Sequence, residues 1–181
     1  MKNLKTIGFA VLVSIIFEYF FNTLVKDLDL QKSIFSFFFH YFVLVITIFV
    51  AINFRNSSFS RIQNFKKGLF ISIIFSVLIS GYYYSYYSWM NPNLLINKRN
   101  SLLKLTETEH VLLEARKKIK DNPNYYDGKS AEDLIEMQQD NINDLLLPSK
   151  VFPLSLFSFL LVGMIFTIIT VFIKFIFKNP Y

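Results

Sequence analysis

The sequence predicts an all-α polytopic membrane protein, a bundle of four transmembrane helices with a short helical extramembrane insertion between the third and the fourth. Three observations carry that expectation. Of the 181 residues, 53% are hydrophobic and only 18% charged, against roughly 25% charged in a soluble domain. The mean hydropathy is +0.40. Apolar runs at about 6-25, 34-54, 68-89 and 151-177 each reach the roughly 20 residues needed to cross the hydrocarbon core of a bilayer. The chain is expected to form a single membrane domain over 1-181, with 90-150 as its helical extramembrane segment.

The first run follows Met1-Lys2-Asn3-Leu4-Lys5, a basic start such as secretory signals carry. It ends in Glu18-Tyr19-Phe20-Phe21-Asn22 and lacks a small-x-small cleavage site, so an uncleaved helix is expected. Between helices in hydrocarbon there is no hydrophobic drive, and association rests on small residues and interhelical hydrogen bonds. Each run should therefore carry one small or polar stripe. The first has Ala10, Ser14, Glu18 and Asn22, and the second His40, Thr47 and Ala51. The third has Gly68, Ser72, Ser76 and Ser80, and the fourth Gly163, Thr167, Thr170 and Lys174. Gly68, Ser72, Ser76, Ser80 and Gly163 are read as the packing stripe of one four-helix bundle. Lys174, near the end of the last run, is expected to snorkel toward the headgroups.

The third run closes on Tyr82, Tyr83, Tyr84, Tyr86, Tyr87 and Trp89. Amphipathic rings favour the headgroup layer, which makes this an interfacial belt; an aromatic cage for a cation is the alternative. Asn91-Pro92 ends the run, because the residue before proline avoids the helical region and proline suits the first turn of a new helix. A helix over 93 to 105 follows. Thr106-Glu107-Thr108-Glu109 reads as a capping box for a second, which Asn122-Pro123-Asn124 stops, and Ser130-Ala131-Glu132-Asp133 as the start of a third. A seven-residue recurrence through Leu95, Leu102, Leu105, Leu112 and Ile119 is interrupted by Lys98, Glu109 and Arg116. It is a faint coiled-coil pattern.

Four crossings place both termini on one side with 55 to 67, a stretch holding Arg55, Arg61, Lys66 and Lys67 and no acid. That side carries eight Lys/Arg. The opposite side holds nine Lys/Arg against ten Asp/Glu in 90 to 150, together with two Lys and two Asp in 26 to 33. The positive-inside rule then predicts cytoplasmic termini, with 90-150 across the membrane.

Composition also excludes. With no cysteine, disulfides, thiolate chemistry, iron-sulfur clusters and cysteine-ligated zinc are out. His40 and His110 are the two histidines, too few for an imidazole metal site, so no metal and no cofactor is expected. The five glycines stand singly, and neither a phosphate-binding loop nor a dinucleotide fingerprint can be written. The net charge of +6 sits mostly beside apolar runs, where it sets orientation and does not point to nucleic acid.

Glu18 is the single acid inside a run, and an ionisable residue in hydrocarbon is costly enough to suggest function. At about 1.5 Å per residue, Glu18 and His40 both lie roughly 9 to 11 Å below the same surface. Tyr82 and Tyr83 fall near that level. A polar cluster of Glu18, His40 and a tyrosine, with Asn22 beside it, is the candidate site; its alternatives are a proton or ligand site and a pair that fixes helix register or simply faces the interface.

The landmarks Phe65-x-x-Gly68, Gly81 before a tyrosine-rich helix end, Asn91-Pro92-Asn93-Leu94, a charged helical segment ending at Pro148 and a last apolar run resemble domain-of-unknown-function family 4199. The resemblance covers nearly the whole chain. It implies a small four-helix protein of the bacterial inner membrane with no established activity, and it carries no functional residues across. The leading expectation is a non-enzymatic accessory or interaction subunit in the bilayer, forming a homo-oligomer or binding another membrane protein. The second is a component of a proton-responsive transporter or channel.

Overall fold

The computed structural model describes residues 2–24, 30–53 and 60–178. Seven α-helices run in order: α1 (Lys2–Leu24), α2 (Leu30–Asn53), α3 (Arg61–Ser85), α4 (Pro92–Thr106), α5 (Glu109–Asp121), α6 (Ala131–Leu145) and α7 (Pro148–Lys178). A π-helical turn, Tyr86–Met90, continues α3. Four stretches are long and apolar enough to cross a membrane: Leu4–Phe21, Phe35–Asn53, Arg61–Met90 and Pro148–Ile176. The protein is all-α and, by these spans, a multi-pass membrane protein. The third helix starts about two turns before the predicted run. Arg61 to Lys67 joins it because Ser60 and Gln63 cap its start reciprocally, each accepting from the other's backbone N–H.

The chain divides into two compact units, 1–83 with 152–181, and 84–151. In the first, the predicted stripes turn inward: Ala10, Ser14, Glu18, His40, Thr47, Ala51, Ser72, Ser76, Ser80, Thr167 and Thr170 are all buried. Phe9, Phe38, Phe42, Phe70 and Phe172 stay exposed, as suits side chains solvated by lipid tails. The small residues decide the contact of α3 with α7. A Cβ on Gly68 would collide with the Thr167 side chain, and one on Gly163 would fall 2.5 and 2.6 Å from Ser72. Phe159, fully buried, sits among Phe37, Tyr41, Phe75 and Tyr83, with ring centroids 4.9 to 6.3 Å away. Phe17 of α1 stacks on Phe39 of α2 at 3.6 Å.

Lys174 does not snorkel. Its ammonium donates to the Ile52 carbonyl at 2.6 Å, with Asn64 Oδ1 at 3.4 Å, while Lys67 donates to the Ala51 carbonyl. The last carbonyls of a helix lack intrahelical donors and carry partial negative charge. Two lysines from neighbouring helices supply the missing donors.

In the second unit α6 packs against α4 and α5. Gln139 of α6 donates to the Thr106 hydroxyl of α4 at 2.9 Å, and Leu95, Ala115 and Ala131 are buried. The Ser130 box forms in full: the Ser130 hydroxyl accepts from Asp133 N–H at 3.1 Å, and the Asp133 carboxylate from Ser130 N–H at 2.7 Å. The Thr106 box does not form. Thr106 lies inside α4, and the hydroxyls of Thr106 and Thr108 donate back to the carbonyls of Leu103 and Leu105. Threonine hydroxyls compete for local carbonyls in this way at helix ends. The seven-residue recurrence does not make one seam either: Leu95 is buried, Leu105 is exposed, and α4 ends between Leu105 and Leu112.

Candidate functional site

Within the first unit α1 and α2 bring the predicted pair together. Glu18 is 3% exposed and His40 fully buried. The link between them is Ser36, whose hydroxyl donates to the Glu18 carboxylate. His40 Nδ1 lies 2.7 Å from the Ser36 carbonyl, one helical turn earlier. A carbonyl only accepts, so Nδ1 carries the ring proton. The Tyr83 hydroxyl is 3.1 Å from that same nitrogen, and its oxygen shares the N–H. Nε2 is buried and outside ordinary hydrogen-bond geometry among the described residues. The Glu18 carboxylate acts on the ring through space, and the Ser14 backbone faces it.

Tyr83 is the tyrosine that reaches the histidine. Its ring lies parallel to Phe37 at 5.1 Å, a stack that fixes where the hydroxyl points. Tyr82 is half-buried, its ring centroid 6.1 Å from that of Tyr83. The side chain of Asn22 lies outside the described residues. Sequence reasoning missed Ser36, although it stands four residues before His40 and so shares its face. It also missed the Tyr41 hydroxyl, 2.5 Å from the Ser158 hydroxyl and a polar tie of α2 to α7.

Chemically the chain Glu18, Ser36, His40, Tyr83 spans α1, α2 and α3. It holds one carboxylate and one imidazole, with Tyr83 and Tyr41 as the neighbouring phenols. It can store a proton, or it can lock three helices in register. The aromatic cluster that ends the third run is divided: Tyr83 is buried in the first unit, while in the second Tyr86 is buried, Trp89 is 74% exposed and the Tyr84 ring lies 6.0 Å from Trp89.

The second unit carries a separate groove of about 410 Å³, with Val111 and Ala115 of α5 on one wall and Leu134 and Met137 of α6 on the other. Tyr125 and Tyr126 close one end, their rings edge to face at 4.8 Å. Lys118, Lys129 and Glu114 rim it.

The family of proteins of unknown function DUF4199 matches residues 6–174. The chain belongs to that family. The landmarks at Gly68, Gly81 and Asn91-Pro92 thus belong to a DUF4199 chain, and the match runs from the first span to near the end of the last. No curated protein and no solved structure matches it. For this DUF4199 protein the site rests on its own residues.

Proposed function

We propose that this DUF4199 protein is a non-enzymatic accessory or interaction subunit, anchored by its four-helix unit and making contacts through the helical unit 84–151. The observation that supports the reading is the α5/α6 groove. Tyr125 is 80% exposed and Met137 46% exposed beside it, and an amphipathic ring next to a thioether, rimmed by charge, is the composition of a contact surface. An enzyme would need several converging polar groups left free for a substrate. In the bundle Ser36 and His40 Nδ1 are engaged with their neighbours. No cofactor is assigned. The orientation that goes with this reading has both termini in the cytoplasm of a bacterial cell and 90-150 beyond the inner membrane. The partner is a second copy or another membrane protein, with no nucleic acid.

Co-purification of the tagged protein from its own membranes in mild detergent, with the mass of the intact complex, tests this reading. A stoichiometric second protein, lost on Tyr125→Ala with Met137→Ala and kept on Glu18→Gln, is the expected result. A lone monomer whose groove variants behave as wild type would overturn it.

A second reading, a component of a proton-responsive transporter or channel, is favoured by the burial of His40 close to the buried Glu18. Four helices are few for a monomeric transporter, so this reading also requires an oligomer. Reconstituted protein would then conduct protons, and Glu18→Gln would abolish the flux while leaving the oligomer intact. No flux from the wild type would dismiss it.

A further inference from the structure

The seam between α3 and α7 changes character along its length. At Gly68 and Thr167, and again at Gly163 and Ser72, the helices approach so closely that no Cβ would fit. Toward the start of α3 the facing residues become large: Ile62 and Phe65 against Ile168, Val171, Phe172 and Phe175, and a groove of about 380 Å³ opens between the helices. Its α7 wall runs roughly 11 Å at about 1.5 Å per residue. Both helices belong to candidate membrane spans, so the open side of the groove meets lipid tails.

The mouth of the groove is cationic. Arg61, the first residue of α3, lines it, with the guanidinium carbon 5.0 Å from the centre of the Phe175 ring. Among the described residues no carboxylate forms an ion pair with Arg61. The stretch from 55 to 67 contains no acid, and Lys67 and Lys174 at this same end donate to the last carbonyls of α2. A guanidinium held over an aromatic ring still offers its in-plane N–H fork, which matches two oxygens of a phosphate.

We propose that this groove binds an anionic phospholipid, one acyl chain lying between α3 and α7 and the headgroup phosphate resting on Arg61. The slot and its mouth complement the two halves of that ligand. Basic pockets between membrane helices take acidic headgroups for the same reason. A zwitterionic lipid would bring its own ammonium to the mouth, an end that already carries the Arg61 guanidinium. A second copy of the chain would set another such end against the first.

The full chain in mild detergent, titrated with phosphatidylglycerol or phosphatidylcholine of identical acyl chains and weighed as the intact complex, tests the proposal. Phosphatidylglycerol is expected to be retained several-fold better. Arg61→Gln, an exposed position at a helix start, should reduce it to the phosphatidylcholine level. Val171→Trp, which fills the slot and spares Arg61, should weaken retention of both lipids, and Phe9→Trp on the outer face of α1 should change neither. Equal retention of the two lipids, no response to Arg61→Gln, no response to Val171→Trp, or a second chain occupying the groove in place of lipid would each overturn it.

Discussion

At the residue scale, the sharpest constraints are Gly68 and Gly163 in the seam of α3 with α7 and Ser36 between α1 and α2. Gly163 allows α7 to lie against Ser72, and a methyl there needs space the seam lacks. Gly163→Ala should cost about 1–3 kcal/mol, the usual range for overpacking, read as an earlier transition in mixed-micelle unfolding. Gly8, where an added methyl would meet nothing within 4 Å, is the control, and Gly8→Ala should stay within about 0.5 kcal/mol. Ser36 ties α1 to α2 through Glu18. Ser36→Ala should cost about 0.6 kcal/mol, the average for hydrogen bonds across membrane helices, and no more than about 1.7 kcal/mol, their maximum. Glu18→Gln keeps an acceptor for the hydroxyl and should cost less; equal losses would mean that the charge, and not the hydrogen bond, holds the pair.

At the element scale, helix ends do the specifying. Ser130 and Asp133 close the start of α6 reciprocally, and Ser130→Ala should weaken that helix by about 1 kcal/mol. The Ser130 backbone N–H, and then its hydroxyl, hold the Asp133 carboxyl below its ordinary value of 3.8. Because the folded-state value is the lower one, the cap's contribution is present above pH 3.8 and is lost as pH falls through the depressed value. An NMR titration of the Asp133 carboxyl should show that midpoint below 3.8, and Ser130→Ala should move it back up. At the end of α2 the same electrostatics recruits Lys67 and Lys174 from other helices, which is why a lysine expected at the surface is found bonded inside.

At the scale of the whole molecule, the absence of cysteine makes any introduced thiol unique. Gln63 and Tyr125 are both exposed, and one candidate span, Arg61–Met90, lies between them for nearly all of its length. In intact membranes Gln63→Cys and Tyr125→Cys should react with an impermeant maleimide from opposite faces. Labelling of both from one face would mean that α3 does not cross. Which face carries Tyr125 also tests the orientation assigned from the distribution of lysine and arginine.

The helices, their order and the faces they bury were legible in the chain itself, because hydrocarbon leaves few options. A run of about 20 apolar residues must satisfy its backbone internally, and small or polar residues at i, i+4 spacing must face other helices. Glu18, His40 and the α3 stripe could be picked out for that reason. The tertiary structure decided what those faces meet. Ser36 as the bridge, Tyr83 over Tyr82 as the phenol on His40, and Lys174 on the carbonyl of Ile52 depend on the rotation and height of one helix against another. That register is set by packing between residues 18 to 122 positions apart, and no local spacing encodes it.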